Sequence, residues 1–168
     1  TLEELRGSFV FDSLEGFSAD QVHLGLLGKP ARLSMHSPQW QEHKAIQVEV
    51  AGNLSLPDLY VWRGMEPLPG VQGEPAFKAS LLAEINETQP ALTLDVQTDL
   101  VGVVMDWPDP LRKDAQERLN LRYVHRFPLN SSRSEAQLAL GNLANGRFRF
   151  GEEGYEGGVL AFNDSQLT

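Results

Sequence analysis

Apolar and polar positions alternate with a period of two through most of the chain. The cleanest run is 44–50, where Ile46, Val48 and Val50 fall on one side and Gln47 and Glu49 on the other. Such alternation predicts a strand in a sheet with one wet face. The same period recurs over 5–12, with Leu5, Gly7, Phe9 and Phe11 in phase, over 20–26 with Val22, Leu24 and Leu26, and at Ala31, Leu33 and Met35. It returns as one long strand over 71–85, aligning Phe77, Ala79, Leu81, Ala83 and Ile85, and then at Leu92, Leu94 and Val96. Leu119, Leu121 and Tyr123 lead to Phe127, Ala136, Leu138 and Leu140 make another strand, and 159–162 is the last.

Turn signals separate these runs: Gly28-Lys29-Pro30, residues 86–90 and 130–133, and the glycine-rich stretch 152–158. Asn145-Gly146 predicts a hairpin turn with Phe148 and Phe150 answering across it. Residues 38–43 read as a polar loop around Trp40. One segment departs from period two. Residues 53–63 predict a short helix, capped by Ser55, with Pro57 in its first turn and Leu56, Leu59 and Tyr60 as its apolar stripe. Roughly ten short strands with little helix make an all-β sheet, sandwich or barrel.

The stretch 98–121 breaks this rhythm. A strand is expected over 100–104, after which two prolines, Pro108 and Pro110, remove two backbone donors and interrupt pairing. Alternation resumes at Leu119.

Composition narrows the function. The chain has 168 residues, 41% of them hydrophobic, which is ordinary for a folded protein. Its net charge of -9 opposes binding to nucleic acid and electrostatic docking onto anionic lipid surfaces. With no cysteine there is no disulfide, thiolate metal site or Cys nucleophile. No run approaches the ~20 apolar residues that span a bilayer. The chain opens at Thr1, already in strand-like text, and reads as a piece of something longer.

Chemistry is thin. The sequence holds no G-x-S-x-G, no H-E-x-x-H and no EF-hand loop. The four histidines, His23, His36, His43 and His125, are scattered; His36 and His43 flank a loop and could share a metal, but they read as polar-face residues. Asp12, Asp20, Glu49, Glu84 and Asp95 leave a glycosidase-like pair open on paper, though most sit on the wet side of amphipathic strands. Trp40, Trp62 and Trp107 could line a sugar site; packing is the better reading. Asn53, Asn86, Asn130 and Asn163 open glycosylation sequons on turns. No catalytic residue, cofactor or metal ligand is assigned.

Thr98-Asp99-Leu100, Gly102, Pro108, Pro110-Leu111 and Lys113 fall in a pattern that resembles the S-D-L-x-G-x-x-x-x-L-P-x-P-L-x-K block of YhdP-type proteins of the AsmA-like family. Trp107 stands where that block has leucine, and Arg112 where it has glycine. Leu5-Arg6-Gly7-Ser8-Phe9, residues 19–26 and Leu27-Gly28-Lys29-Pro30-Ala31 are similar to the family's L-x-G-x-F … A-x-x-L-G-x-P-V phrase, and Val71-Gln72-Gly73 through Leu81 to a later one. The resemblance implies a periplasmic bridge-like lipid-transfer protein: an inner-membrane anchor and a long β-rich body bent into an apolar trough. Residues 1–168 would be a single β-rich segment of that body, without the anchor.

The implied fold is all-β, a strongly curved, mostly antiparallel extended sheet, a β-taco-like groove with one or two short helices. The implied function is non-enzymatic phospholipid transport between inner and outer membrane and outer-membrane homeostasis. Its partners would be phospholipid acyl chains and other segments of the same parent protein, with no nucleic acid and with membrane contact only through the full-length protein. The expected lining is Leu33, Met35, Ile46, Val48, Val50, Phe77, Leu81, Leu92, Leu94, Val96, Leu119 and Leu121, with Arg32, Gln47, Glu49, Thr93 and Asp95 facing water. The alternatives are a closed β-sandwich recognising carbohydrate or protein, a hydrolase with paired carboxylates, and a segment that is scaffold alone.

Overall fold

In chain order the elements are β1 (Leu2–Arg6), β2 (Val10–Asp12), β3 (Gly16–Leu26), β4 (Lys29–His36), α1 (Trp40–His43), β5 (Ala45–Asn53) and α2 (Leu56–Arg63). They continue with β6 (Val71–Gly73), β7 (Ala76–Glu84), β8 (Ala91–Thr98), β9 (Val103–Met105), β10 (Leu121–Pro128), β11 (Ser134–Leu140), β12 (Ala144–Gly151) and β13 (Gly154–Phe162). This computed structural model describes residues 2–38, 40–85 and 89–162, with the backbone alone for Leu2, Glu3 and His43. Asn86 and Asn163, with their sequons, lie outside the described residues, as do positions 86–88 of the expected turn.

Eleven strands form one antiparallel sheet in the order β1-β3-β4-β5-β7-β8-β10-β11-β12-β13, with β2 on β3. The order follows the chain because each strand turns back on its neighbour. β6 and β9 make a separate two-stranded sheet. The fold is therefore all-β and open, with two short helices, and is not closed into a barrel. The described strands form one large sheet and a small one, so the closed sandwich is not their arrangement.

A compact protein of this mass exposes about 8,200 Å², whereas this one exposes 11413 Å². The excess is what a single-layer sheet produces. Its core is correspondingly small. At one end of the central strands Leu100, Val103 and Met105 are buried, with Leu56, Val71, Trp107, Leu119, Leu121 and Leu140 packed around them. At the other end Trp40 packs edge-on against Phe11 and Phe17, at 6.1 and 5.8 Å between ring centres.

Helix α2 forms where the sequence places it. The Ser55 hydroxyl accepts from the Asp58 amide at 3.3 Å, Pro57 sits in the first turn, and Gly64 closes the end in the left-handed region. Five local expectations are corrected. The run 71–85 breaks into β6 and β7, because Gly73 (φ 143) lies where a Cβ would fall on the Gly102 carbonyl oxygen, and Pro75 lacks an amide hydrogen. The strand expected over 100–104 begins only at Val103. Before it, the Leu100 and Val101 amides donate to the Thr98 hydroxyl and Asp99 carboxylate at 3.0 and 3.1 Å, making a turn.

Asn145-Gly146 lies inside β12, and the turn comes earlier, with the Leu143 amide donating to Leu140 O at 2.9 Å. Gly146 is there for space, since a Cβ would meet the Phe148 ring at 2.8 Å. The run 5–12 splits at Gly7, where a Cβ would meet Val22 Cγ2 at 2.6 Å. In the expected loop 38–43, Trp40 opens the four-residue helix α1.

Candidate functional site

Residues directly opposed in an antiparallel pair share a face, so the register fixes what each face carries. One row runs Val22, Leu33, Val50, Ala79, Val96, Tyr123, Leu138, Gly146 and Leu160, from β3 to β13. At ~4.8 Å per strand it spans about 38 Å. A second row runs Met35, Val48, Leu81, Leu94, His125, Ala136 and Phe148. Shorter rows add Ile46, Ala83, Leu92 and Phe127 on one side, and Gly52 opposite Phe77 on the other. Asp, Glu, Lys and Arg are absent from all of these positions.

Leu33, Met35, Ile46, Val48, Val50, Phe77, Leu81, Leu92, Leu94, Val96 and Leu121 thus lie on one face of one sheet. They are half-buried at most; Leu81 is 39% exposed, and farther along the face Leu160 and Phe162 reach 47%. Leu119 lies elsewhere. It precedes β10, its amide donates to Asp99 O at 2.9 Å, and its side chain joins the Leu100–Val103–Met105 cluster. That cluster touches the face through Leu121, the first residue of β10, and Leu140, the last of β11, so it flanks the rows at the strand ends and leaves their length uncovered.

The opposite face is mostly polar and carries several ion pairs. Arg122 holds Asp95 through two nitrogens, the shorter contact being 2.6 Å, and this hydrogen bonding keeps the Asp95 carboxyl below its ordinary pKa. Arg126 contacts Glu84 at 3.1 Å and Lys78 contacts Glu49 at 3.4 Å. Gln47 bridges Glu49 and Ser80 at 3.3 and 3.2 Å. Glu49, Glu84 and Asp95 are each matched to a base rather than converging on one another, and Asp12 accepts the Leu14 and Glu15 amides in a turn. This is not the geometry of a carboxylate pair across a cleft.

The other sequence candidates disperse. Trp40 packs on Phe11 and Phe17, Trp62 is 58% exposed on α2, and the Trp107 indole donates to Pro69 O at 2.6 Å. Among the described residues no ring contact joins the three, and no group of three metal-ligating side chains forms; the His43 side chain lies outside them. Among the described residues no helix is long and apolar enough to cross a membrane.

Two groups carry more than their sequence positions suggest. Lys113, only 3% exposed, donates through Nζ to Val103 O at 2.8 Å and Asp114 O at 2.9 Å. Burial lowers its pKa, partly offset by the charges of Glu117, Asp99 and Asp114. His125, 8% exposed, lies on the apolar face between Tyr123 and Phe127, stacked on Phe127 at 3.7 Å. Its phase with Leu121, Tyr123 and Phe127 is a signal that places it on the apolar face rather than the polar one.

A family model described as YhdP protein matches residues 1–168. No curated protein and no solved structure matches the chain.

Proposed function

The chain belongs to the YhdP family, envelope proteins linked to lipid transport, and we propose that its apolar sheet face receives phospholipid acyl chains passing between inner and outer membrane. The observation that carries this reading is the long apolar face itself. Rows of Leu, Val, Ile and Phe cross up to nine strands without a charged residue and, among the described residues, without a second layer over them. In water such a face is costly, and each acyl CH₂ laid on it contributes ~0.8 kcal/mol. With no charged anchor along the rows, chains are held by contact area and can slide.

The segment acts without chemistry of its own. It is one length of a longer periplasmic body whose other segments extend the face, and whose inner-membrane anchor lies elsewhere in the parent protein. Direction and energy come from outside the segment. Leu33, Met35, Ile46, Val48, Val50, Phe77, Leu81, Leu92, Leu94, Val96 and Leu121 are the lining, and Leu119 supports it from the end cluster.

Native mass spectrometry of the purified protein, followed by lipid extraction, tests this. Stoichiometric phospholipid is expected in the wild type, lost in Leu94→Asp and in Val48→Asp while both variants retain their circular dichroism. A folded wild type that never carries lipid, even after incubation with phospholipid vesicles, overturns the proposal.

A further inference from the structure

The apolar rows contain one side chain that can ionise near neutral pH, and it is wired to two hydroxyls. His125 Nδ1 lies 2.8 Å from the Tyr123 hydroxyl, and Nε2 lies 2.9 Å from the Ser134 hydroxyl. A neutral imidazole offers one donor and one acceptor. One hydroxyl must therefore donate to the ring while the other accepts from it, and the accepting hydroxyl keeps its own hydrogen for a further partner. In one tautomer that free donor is Ser134; in the other it is Tyr123. Protonation makes both ring nitrogens donors, so both hydroxyls become free donors beside a positive charge.

Among the described residues nothing in contact neutralises that charge. His125 stands opposite Leu94 of β8 and Ala136 of β11, its ring lies 5.0 Å between centres from that of Phe150 of β12, and Tyr155 of β13 packs beyond Phe150 at 5.9 Å. Arg126 and Glu135 occupy alternate positions, hence the other face, and Arg126 is bound to Glu84. Arg133, next to Ser134, contacts Glu156 at 3.7 Å. Burial accordingly disfavours the imidazolium in the unliganded protein.

We propose that Tyr123, His125 and Ser134 form a hydrogen-bonding station on the apolar face, taking the anionic oxygen atoms of an amphiphile's headgroup while its chain lies along the neighbouring rows. This rests on the reading of the face as an acyl-chain surface. An anion at the station supplies the missing countercharge and raises the proton affinity of His125. By linkage, binding of an anionic amphiphile then strengthens as pH falls. The chain's net charge of -9 repels anions, so such a preference has to arise locally.

Calorimetric titrations with decanesulfonate, whose charge is constant with pH, with decyltrimethylammonium and with chainless methanesulfonate, each at pH 5.0 and 7.5, test the station. Decanesulfonate is expected to bind about tenfold tighter at pH 5.0, the equivalent of a one-unit rise in the His125 pKa on binding. Decyltrimethylammonium should bind without that gain, and His125→Phe should bind both chains with the gain lost. In the wild type the NMR titration midpoint of the His125 ring should rise when decanesulfonate is bound, a readout independent of how the variant folds.

Decanesulfonate binding that is unchanged with pH, or a midpoint unmoved by it, overturns the station and leaves the acyl-chain reading intact. Methanesulfonate binding as tightly as decanesulfonate overturns the headgroup assignment in favour of a free anion. If neither chain-bearing probe binds, the acyl-chain reading falls and the station with it.

Discussion

Replacing Lys113 separates a structural from a solvated role for the most buried charge among the described residues. Its ammonium satisfies two carbonyls, Val103 O and Asp114 O, that sit beside the Leu100–Val103–Met105 cluster. Burial outweighs the nearby carboxylates in setting its pKa, so the charge itself is not the source of stability. The loss on substitution comes from carbonyls left without a donor, at about 1–3 kcal/mol for a buried polar group. Lys113→Met keeps most of the volume and should cost about that much; Lys113→Ala adds a cavity and should cost about 3–5 kcal/mol.

Denaturant unfolding at neutral pH measures the sum, and amide exchange locates it. The Gly102, Met105 and Lys113 amides, bonded to Ala115 O, Lys113 O and Met105 O, should lose protection while those of β5, β7 and β8 keep it. If Lys113→Met unfolds at the same denaturant concentration as the wild type with unchanged exchange, the lysine is not holding this end of the sheet.

Gly73→Ala places a Cβ against Gly102 O at a backbone angle that L residues avoid; a loss of about 2–4 kcal/mol is expected by denaturant unfolding, and a stability within 0.5 kcal/mol of wild type would refute the contact. The folded pKa of His125 lies below 6.5, so the unfolded chain binds more protons just under that pH. Stability should be level above pH 6.5 and fall as pH drops through the window down to the folded value, a step that thermal melts should show in the wild type and miss in His125→Phe. Among the described residues β13 has no strand on its outer side, and Val159 on it is 70% exposed; Val159→Lys should weaken concentration-dependent self-association in analytical ultracentrifugation about tenfold, and a wild type that stays monomeric at high concentration would remove the premise.

Period two was enough to place β4, β5, β8 and β11 and to say which residues each turns to the same side. It could not say that those sides join, because register is a property of pairs; Leu33, Val50, Ala79 and Val96 form one row only once three ladders are in place. The break after Gly73 was hidden because Val71 continues the phase of Phe77, and nothing local announces the Gly102 carbonyl that forbids a side chain there. Asn145-Gly146 misled for a related reason: glycine was required to make room for the Phe148 ring, a packing demand that looks like a turn demand in text. Lys113 was matched as a motif position without its role, since a buried lysine between Arg112 and Asp114 has the composition of a loop. The resemblance covered that gap, and the structure supplies its physical content: Gly102 brings the backbone close to β6, and Lys113 ties the segment after Pro110 back to β9.

A sheet that leaves one face uncovered has to find its stability somewhere other than between layers. Here the two ends differ from the middle. The cluster around Val103 is buried and packed, the rings of Phe11, Phe17 and Trp40 pack on one another, and the polar face carries ion pairs at Arg122–Asp95, Arg126–Glu84 and Lys78–Glu49, although exposed pairs of this kind contribute ~1 kcal/mol or less each. Between the ends, the rows through Val48, Leu81 and Leu94 are held by backbone ladders and cross-strand neighbours, at roughly 0.2–1 kcal/mol per pair. Substitutions there should therefore cost less folding stability than the 2–5 kcal/mol typical of a closed core, while still changing what the face can bind. That separation gives the segment a rigid frame with a free apolar middle, which is the arrangement a passage for acyl chains requires.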